Sequence, residues 1–173
     1  MNIYLYQYLV SWGVLLLQIA LLVLGFLYLI KKNTWIAQHL RKHGMGYAFG
    51  ITFICLLGSL GFSQIFHYEP CLLCWYQRIF HFPQVVLFGL AFFYKDSRVW
   101  LYSLWLSFIG LLIAIYHILV QYSPIVAKTS ICNTASVHCE DILTQSFGYI
   151  TVPVMSATIF VVLIVLAVIN LKK

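Results

Sequence analysis

Long apolar runs separated by short polar punctuation dominate the chain. The runs cover residues 9–30, 46–66, 75–94, 99–121 and 150–171. A helix rises ~1.5 Å per residue, so ~20 apolar residues cross a hydrocarbon core of ~30 Å. The pattern therefore predicts five transmembrane helices and an all-α membrane protein. No positive residue precedes the first run and no small-x-small cleavage site follows it, so it is expected to remain as a helix rather than be removed as a signal peptide. Pro83 is expected to kink or loosen the third helix, and Pro153 to be tolerated in the first turn of the fifth. Gly46-x-x-x-Gly50 offers a close helix contact. The segments 31–45, 67–74, 95–98 and 122–149 are the connections, with Trp35, Ile36 and Leu40 suited to an interface. There is no internal repeat and no low-complexity segment.

Composition excludes a soluble alternative. Of the 173 residues, 63% are hydrophobic and 8% charged, against about 25% charged in an average soluble domain. The net charge of +6 does not indicate a nucleic-acid partner, because the cations sit in short clusters between apolar runs and form no basic stripe interleaved with exposed aromatics. Those clusters orient the chain. Lys31, Lys32, Arg41, Lys42, Lys95, Arg98, Lys172 and Lys173 fall on one side of the predicted bundle. Lys128 is the only Lys or Arg well outside a helix on the other. The positive-inside bias puts the first set in the cytoplasm, the N-terminus outside and the C-terminus inside.

That topology distributes the five cysteines unevenly. Cys71, Cys74, Cys132 and Cys139 lie on the extracytoplasmic side, where disulfides form and persist. Cys55 lies mid-helix and reads as a small core residue. Cys71-x-x-Cys74 sits where a turn enters a helix, and there the unpaired N–H groups and the positive dipole end favour a thiolate. Arg78 follows Cys74 by one helical turn on the same face. It can stabilise a thiolate, hydrogen-bond a carbonyl oxygen held near the sulfur, or simply snorkel to the interface. Cys132 and Cys139 lie in a polar loop where a soluble protein can reach them. Thiol redox chemistry is the reading these positions favour. Two static disulfides and a four-thiolate zinc site are the alternatives, and the oxidising compartment argues against zinc. Haem attachment is excluded because Trp75 follows Cys74. His117, near the outer end of the fourth helix, can serve as a hydrogen-bonding or proton-relaying group, or be an ordinary buried histidine. His67 and His81 have weaker claims of the same kind.

The string Glu69-Pro70-Cys71-Leu72-Leu73-Cys74-Trp75-Tyr76-Gln77-Arg78 resembles the DsbB family of disulfide bond formation proteins, its BdbC-like branch most closely. Tyr116-His117 with Gln121, then Pro124 and a cysteine pair in the next loop, is similar to the family's third helix and second external loop. The loop pair follows the Cys-x-x-Cys, whereas the related vitamin K epoxide reductases place it before. The resemblance covers about residues 46–171. It implies a four-helix transmembrane bundle over 46–173, preceded by one additional N-terminal transmembrane helix and cytoplasmic linker in 1–45. It implies a thiol:quinone oxidoreductase in a bacterial cytoplasmic membrane. Such an enzyme reoxidises a soluble thioredoxin-like oxidase of the DsbA or BdbD kind and passes the electrons to ubiquinone or menaquinone. By the same resemblance Cys71 and Cys74 form the quinone-proximal pair, with Cys74 reacting with the quinone, Arg78 holding it and His117 beside it. Cys132 exchanges with the oxidase and Cys139 is its disulfide partner. The competing readings are a non-catalytic scaffold with structural disulfides and a vitamin K epoxide reductase-like thiol enzyme. The 132–139 spacing is shorter than in the longest family members, which carry an interfacial helix there.

Overall fold

The structure, a computed structural model, describes residues 3–31, 34–134, 138–142 and 144–172. Lys32 and Lys173, two of the cations used to orient the chain, lie outside the described residues. Five long helices account for most of the fold: α1 Ile3–Lys31, α2 Thr34–Leu60, α3 Leu72–Tyr94, α4 Val99–Tyr122 and α6 Val152–Leu171, with a short α5, Pro124–Lys128, between the last two. The described residues contain no strand, and a single bridge, Ser146 to Ile150, closes a tight turn before α6. The all-α membrane bundle expected from the hydropathy pattern is the fold observed.

The boundaries differ from expectation in informative places. α1 begins six residues earlier than the apolar run, because Tyr4, Tyr6, Gln7 and Tyr8 continue the helix into the interfacial zone that such side chains favour. The linker 34–44 is helical and joins α2 without a break. Among the described residues, four helices (α1, α2, α4 and α6) are long and apolar enough to cross a membrane. α3 has comparable length, but it turns Gln77, His81 and Gln84 into the protein, where all three are buried, and this lowers its hydropathy. It runs through Pro83 as one helix. It ends at Lys95, whose φ of 54° is the left-handed conformation of a helix stop.

Packing explains how the bundle holds together without a hydrophobic drive between helices in lipid. Gln84 Oε1 accepts from Ser103 Oγ at 2.6 Å and Ser107 Oγ at 3.2 Å, which ties α3 to α4. Gly110 leaves the space that the Phe160 ring fills, letting α6 approach α4 closely. Phe88, Trp100, Leu163 and Leu166 pack the end of the bundle remote from the two cysteine pairs. α1 lies against α6, and Tyr8, Trp12, Leu16, Leu22 and Phe26 are exposed on its outer surface.

Candidate functional site

A π-helical turn, Gly61–Ile65, follows α2 and carries the chain over the bundle end to Cys71. Cys71 is the N-cap residue of α3, with extended backbone at φ −64° and ψ 168°. Cys74 falls in the first turn, and the two sulfurs stand 3.0 Å apart as free cysteines. Cys132 and Cys139 are joined as a disulfide. The connecting loop does not hold this disulfide out in solvent. α5 and the turn after it fold back on the bundle, so that Cys71, Leu73, Val120 and Ala127 pack around both loop cysteines. Each of these two cysteines is only 2% exposed. The loop pair was expected to be open to a soluble protein. The apolar contacts of Val120, Val126 and Ala127 bury it instead.

The two pairs meet at a histidine. The Cys71 sulfur, the Cys139 sulfur and a ring nitrogen of His117 all lie within 4.8 Å of one another. His117 Nε2 is 3.7 Å from Cys71 Sγ and 3.2 Å from the Cys139 carbonyl oxygen, and Nδ1 is 3.0 Å from Gln77 Nε2. The amide of Gln77 donates to Nδ1, which leaves the proton on Nε2, directed at the Cys139 carbonyl and the Cys71 sulfur. The Cys71 thiol is pushed down to about 4. The contact with the Cys74 sulfur is the largest cause; burial opposes it, and His117 lowers it further. The Cys74 contact and His117 thus both favour the thiolate form of Cys71. These three groups have metal-ligand geometry, but Cys139 is committed to its disulfide and offers no thiolate.

Cys74 faces the other way. It lines a cavity of about 540 Å³ between α1, α2, α3 and α6, together with Gln77, Arg78, His81 and Thr144. That volume lies within the range of about 300–1,000 Å³ usual for small-molecule sites. The remaining walls are mostly apolar, among them Val14, Ile54, Met155 and Phe160. The Arg78 guanidinium is fixed rather than free to snorkel. Its Nε donates to Ser59 Oγ and its Nη2 to the Ser59 carbonyl, both at 3.0 Å, and it lies 5.4 Å from the Trp75 ring centre. Gln77 Oε1 and Thr144 Oγ1 are buried without a hydrogen-bond partner, and both residues line this cavity. Buried polar atoms of this kind are few in a native fold and call for an explanation. A mostly apolar cavity with Arg78, Gln77 and Thr144 among its lining residues fits a ligand with an apolar body and ring oxygens, such as a quinone.

Each residue singled out in the sequence thus has a definite place. Cys71, Cys132, Cys139 and His117 form one group, and Cys74 and Arg78 line the cavity. Among the described lining residues His117 is absent; it stands on the Cys71 side of the pair. Cys55 lines the cavity from α2 and His81 from α3, where its Nε2–H donates to the Thr52 carbonyl at 3.3 Å. Sequence reasoning assigned no role to Gln77, Ser59 or Thr144. Gln77 lies three residues from Cys74, within helical reach of the same face. Ser59 and Thr144 carry no local signal.

Known proteins of similar sequence share the cysteine-bearing part. The family model for disulfide bond formation protein DsbB matches residues 41–170. A probable disulfide formation protein of Oceanobacillus iheyensis is 40% identical over 121 residues, which is 70% of this chain and 83% of that one. A probable disulfide formation protein C of Bacillus cereus is 41% identical, covering 77% of this chain and 95% of its own length. A prophage-derived disulfide bond formation protein B of Bacillus subtilis is 38% identical over 65% of this chain and 74% of its own. No solved structure matches the chain.

Proposed function

Because the chain belongs to the DsbB family of disulfide bond formation proteins, and is thereby a membrane disulfide oxidoreductase, we propose that it passes electrons from an extracytoplasmic thioredoxin-like dithiol oxidase to a membrane quinone. One observation carries this reading. The loop disulfide touches one cysteine of the helix-start pair, while the other cysteine opens on an apolar cavity beside a fixed arginine. A scaffold with structural disulfides has no need of that arrangement.

The reaction sequence follows the sulfurs. A thiolate of the reduced partner attacks Cys132, forms a mixed disulfide and releases Cys139 as a thiolate. With the helix-start pair oxidised, Cys139 attacks Cys71 and sets Cys74 free on the cavity side. The partner's second thiol resolves the mixed disulfide, and the partner leaves oxidised. The freed Cys132 then attacks Cys139, restoring their disulfide and releasing Cys71. The outcome is an oxidised loop pair and a reduced helix-start pair, the state seen in the structure. A stabilised thiolate favours the reduced form of a cysteine pair, so the Cys71 environment draws electrons from the loop to the helix start. His117 holds its Nε2 proton toward Cys71, and Gln77 fixes that tautomer. Burial of Cys132 means that its reaction with a partner requires the loop to open.

The quinone supplies an acceptor for two electrons and two protons as Cys71 and Cys74 close to a disulfide. Arg78, with Gln77 and Thr144 beside it in the cavity lining, would hold the quinone's oxygens, Arg78 as a charged hydrogen-bond donor. The cysteines work on the extracytoplasmic side of a bacterial cytoplasmic membrane in this reading, which the charge distribution supports. Turnover of a reduced thioredoxin-like donor with quinone in lipid tests it. Wild-type turnover that vanishes in Cys74→Ser supports the proposal; turnover unchanged in that variant rejects it.

A further inference from the structure

The family match begins at residue 41 and leaves α1 outside it, yet α1 is not a loosely appended anchor. Its polar side chains are spent on specific contacts with the bundle. Tyr6 donates to the Gly58 carbonyl at 2.9 Å and lies against Gly61, where any Cβ would collide with its ring. Tyr6 also packs 5.0 Å from the Phe62 and Phe66 ring centres. Gln7 Nε2 donates to Ser146 Oγ at 3.2 Å. Gln18 Nε2 donates to Thr158 Oγ1 at 2.9 Å on α6, and Gln18 Oε1 accepts from Tyr149 at 2.6 Å. These contacts hold α1 before and after one short stretch; there Val14 packs with Ile150 and Met155, and beside that contact the helix borders open space. Leu9, Val10, Gly13, Val14 and Leu17, which share one helical face, line the cavity that reaches Cys74. Gly13 sits in the middle of that face, with open space where a Cβ would project.

We propose that α1 is a working wall of the quinone site and that Gly13 makes room there for the isoprenoid tail. The inference rests on the quinone reading above and adds a determinant that lies outside the family's shared core. The polar groups that suit a ring gather near Cys74 on α3 and on the loop at Thr144. α1 contributes only apolar side chains and a gap, which suits a hydrocarbon tail. The occupant is thus a prenylated quinone, oriented with its ring at Cys74 and Arg78 and its tail running along α1.

The test is ligand binding to the full chain in lipid nanodiscs, in the oxidised form so that no turnover occurs. The signal is quenching of tryptophan fluorescence by menadione, which has no tail, or by menaquinone-4, the same ring with four prenyl units. Leucine is the better helix former at position 13, so Gly13→Leu fills the gap without weakening the helix. Gly25→Leu is the control, since Gly25 also has open space but does not line the cavity. We expect wild type to bind menaquinone-4 more tightly than menadione. Gly13→Leu should raise the Kd for menaquinone-4 by about tenfold, as overpacking an occupied site does, and leave menadione unchanged; Gly25→Leu should change neither. Gly13→Ala should give the same selectivity at smaller size, and it decides the matter if the leucine variant loses its thermal midpoint. Equal binding of the two quinones by wild type, or no tail-dependent change in Gly13→Leu and Gly13→Ala, overturns the inference and leaves the quinone reading standing. If wild type binds neither, the inference falls, and menaquinone is removed as the acceptor with it.

Discussion

The two ends of this bundle are built differently. At the end near Lys95 and the C-terminus, Phe88, Trp100, Leu163 and Leu166 fill the space between α2, α3, α4 and α6 with apolar side chains. At the cysteine end the same helices hold buried Gln77 and His117, a fixed Arg78, two polar atoms without partners and a cavity of about 540 Å³. Filled interiors stabilise; cavities and unpaired polar atoms cost stability and persist where a site needs them. The contrast assigns stability to one end and chemistry to the other. It also separates two cysteines only three residues apart, with Cys71 meeting the loop disulfide and Cys74 meeting the cavity.

Substitutions should respect that division. The largest effect is expected for Cys71→Ser and Cys74→Ser, each abolishing quinone reduction by a reduced thioredoxin-like donor while the protein keeps its thermal midpoint. Phe88→Ala should do the reverse. Removing a fully buried ring costs about 3–5 kcal/mol, so the midpoint should fall sharply while turnover per folded molecule, assayed well below it, stays near wild type. Loss of turnover without loss of stability in Phe88→Ala would break the comparison. Arg78→Ala removes charge-assisted hydrogen bonding worth about 1.5–3 kcal/mol, and the apparent quinone KM should rise at least about tenfold with a smaller change in kcat. An unchanged KM would leave Arg78 as a structural tie to Ser59. The smallest expected effect is an absence of pH dependence. An ordinary thiol loses thiolate, and so alkylation rate, steadily below about pH 8. Cys71, held down to about 4, is ionised throughout that range. Its alkylation in the reduced protein, followed by mass spectrometry, should therefore stay nearly flat from pH 8 to about pH 5 and fall only below that. His117→Ala removes one of the groups lowering Cys71 and should bring the decline to higher pH.

Much of this was legible in the sequence, because lipid leaves few choices. Every long apolar run became a helix, and the motif from Pro70 to Arg78 marked the helix start that carries the first cysteine pair. The apolar run marked α3, but less cleanly than its neighbours, for the same reason that α3 matters. Its inward polar residues dilute the apolar signal, and only packing shows what they meet: His117 for Gln77, the Thr52 carbonyl for His81, and Ser103 and Ser107 for Gln84. The burial of Cys132 and Cys139 was not legible either, since a polar loop gives no periodicity, and Val120, Val126 and Ala127 cover it only after the chain folds back. The contacts of Ser59 with Arg78, and of Tyr6 and Gln18 with the rest of the bundle, join residues 19 to 140 positions apart. Spacing along the chain cannot reveal them.

Electrons can cross between the two pairs only where Cys71 lies next to Cys139. A variant carrying Cys74→Ser and Cys132→Ser retains those two thiols without their usual partners. Mild oxidation in lipid followed by peptide mass spectrometry should find them joined as a Cys71–Cys139 disulfide in most molecules. Both thiols remaining free, in protein whose thermal midpoint matches wild type, would contradict the account.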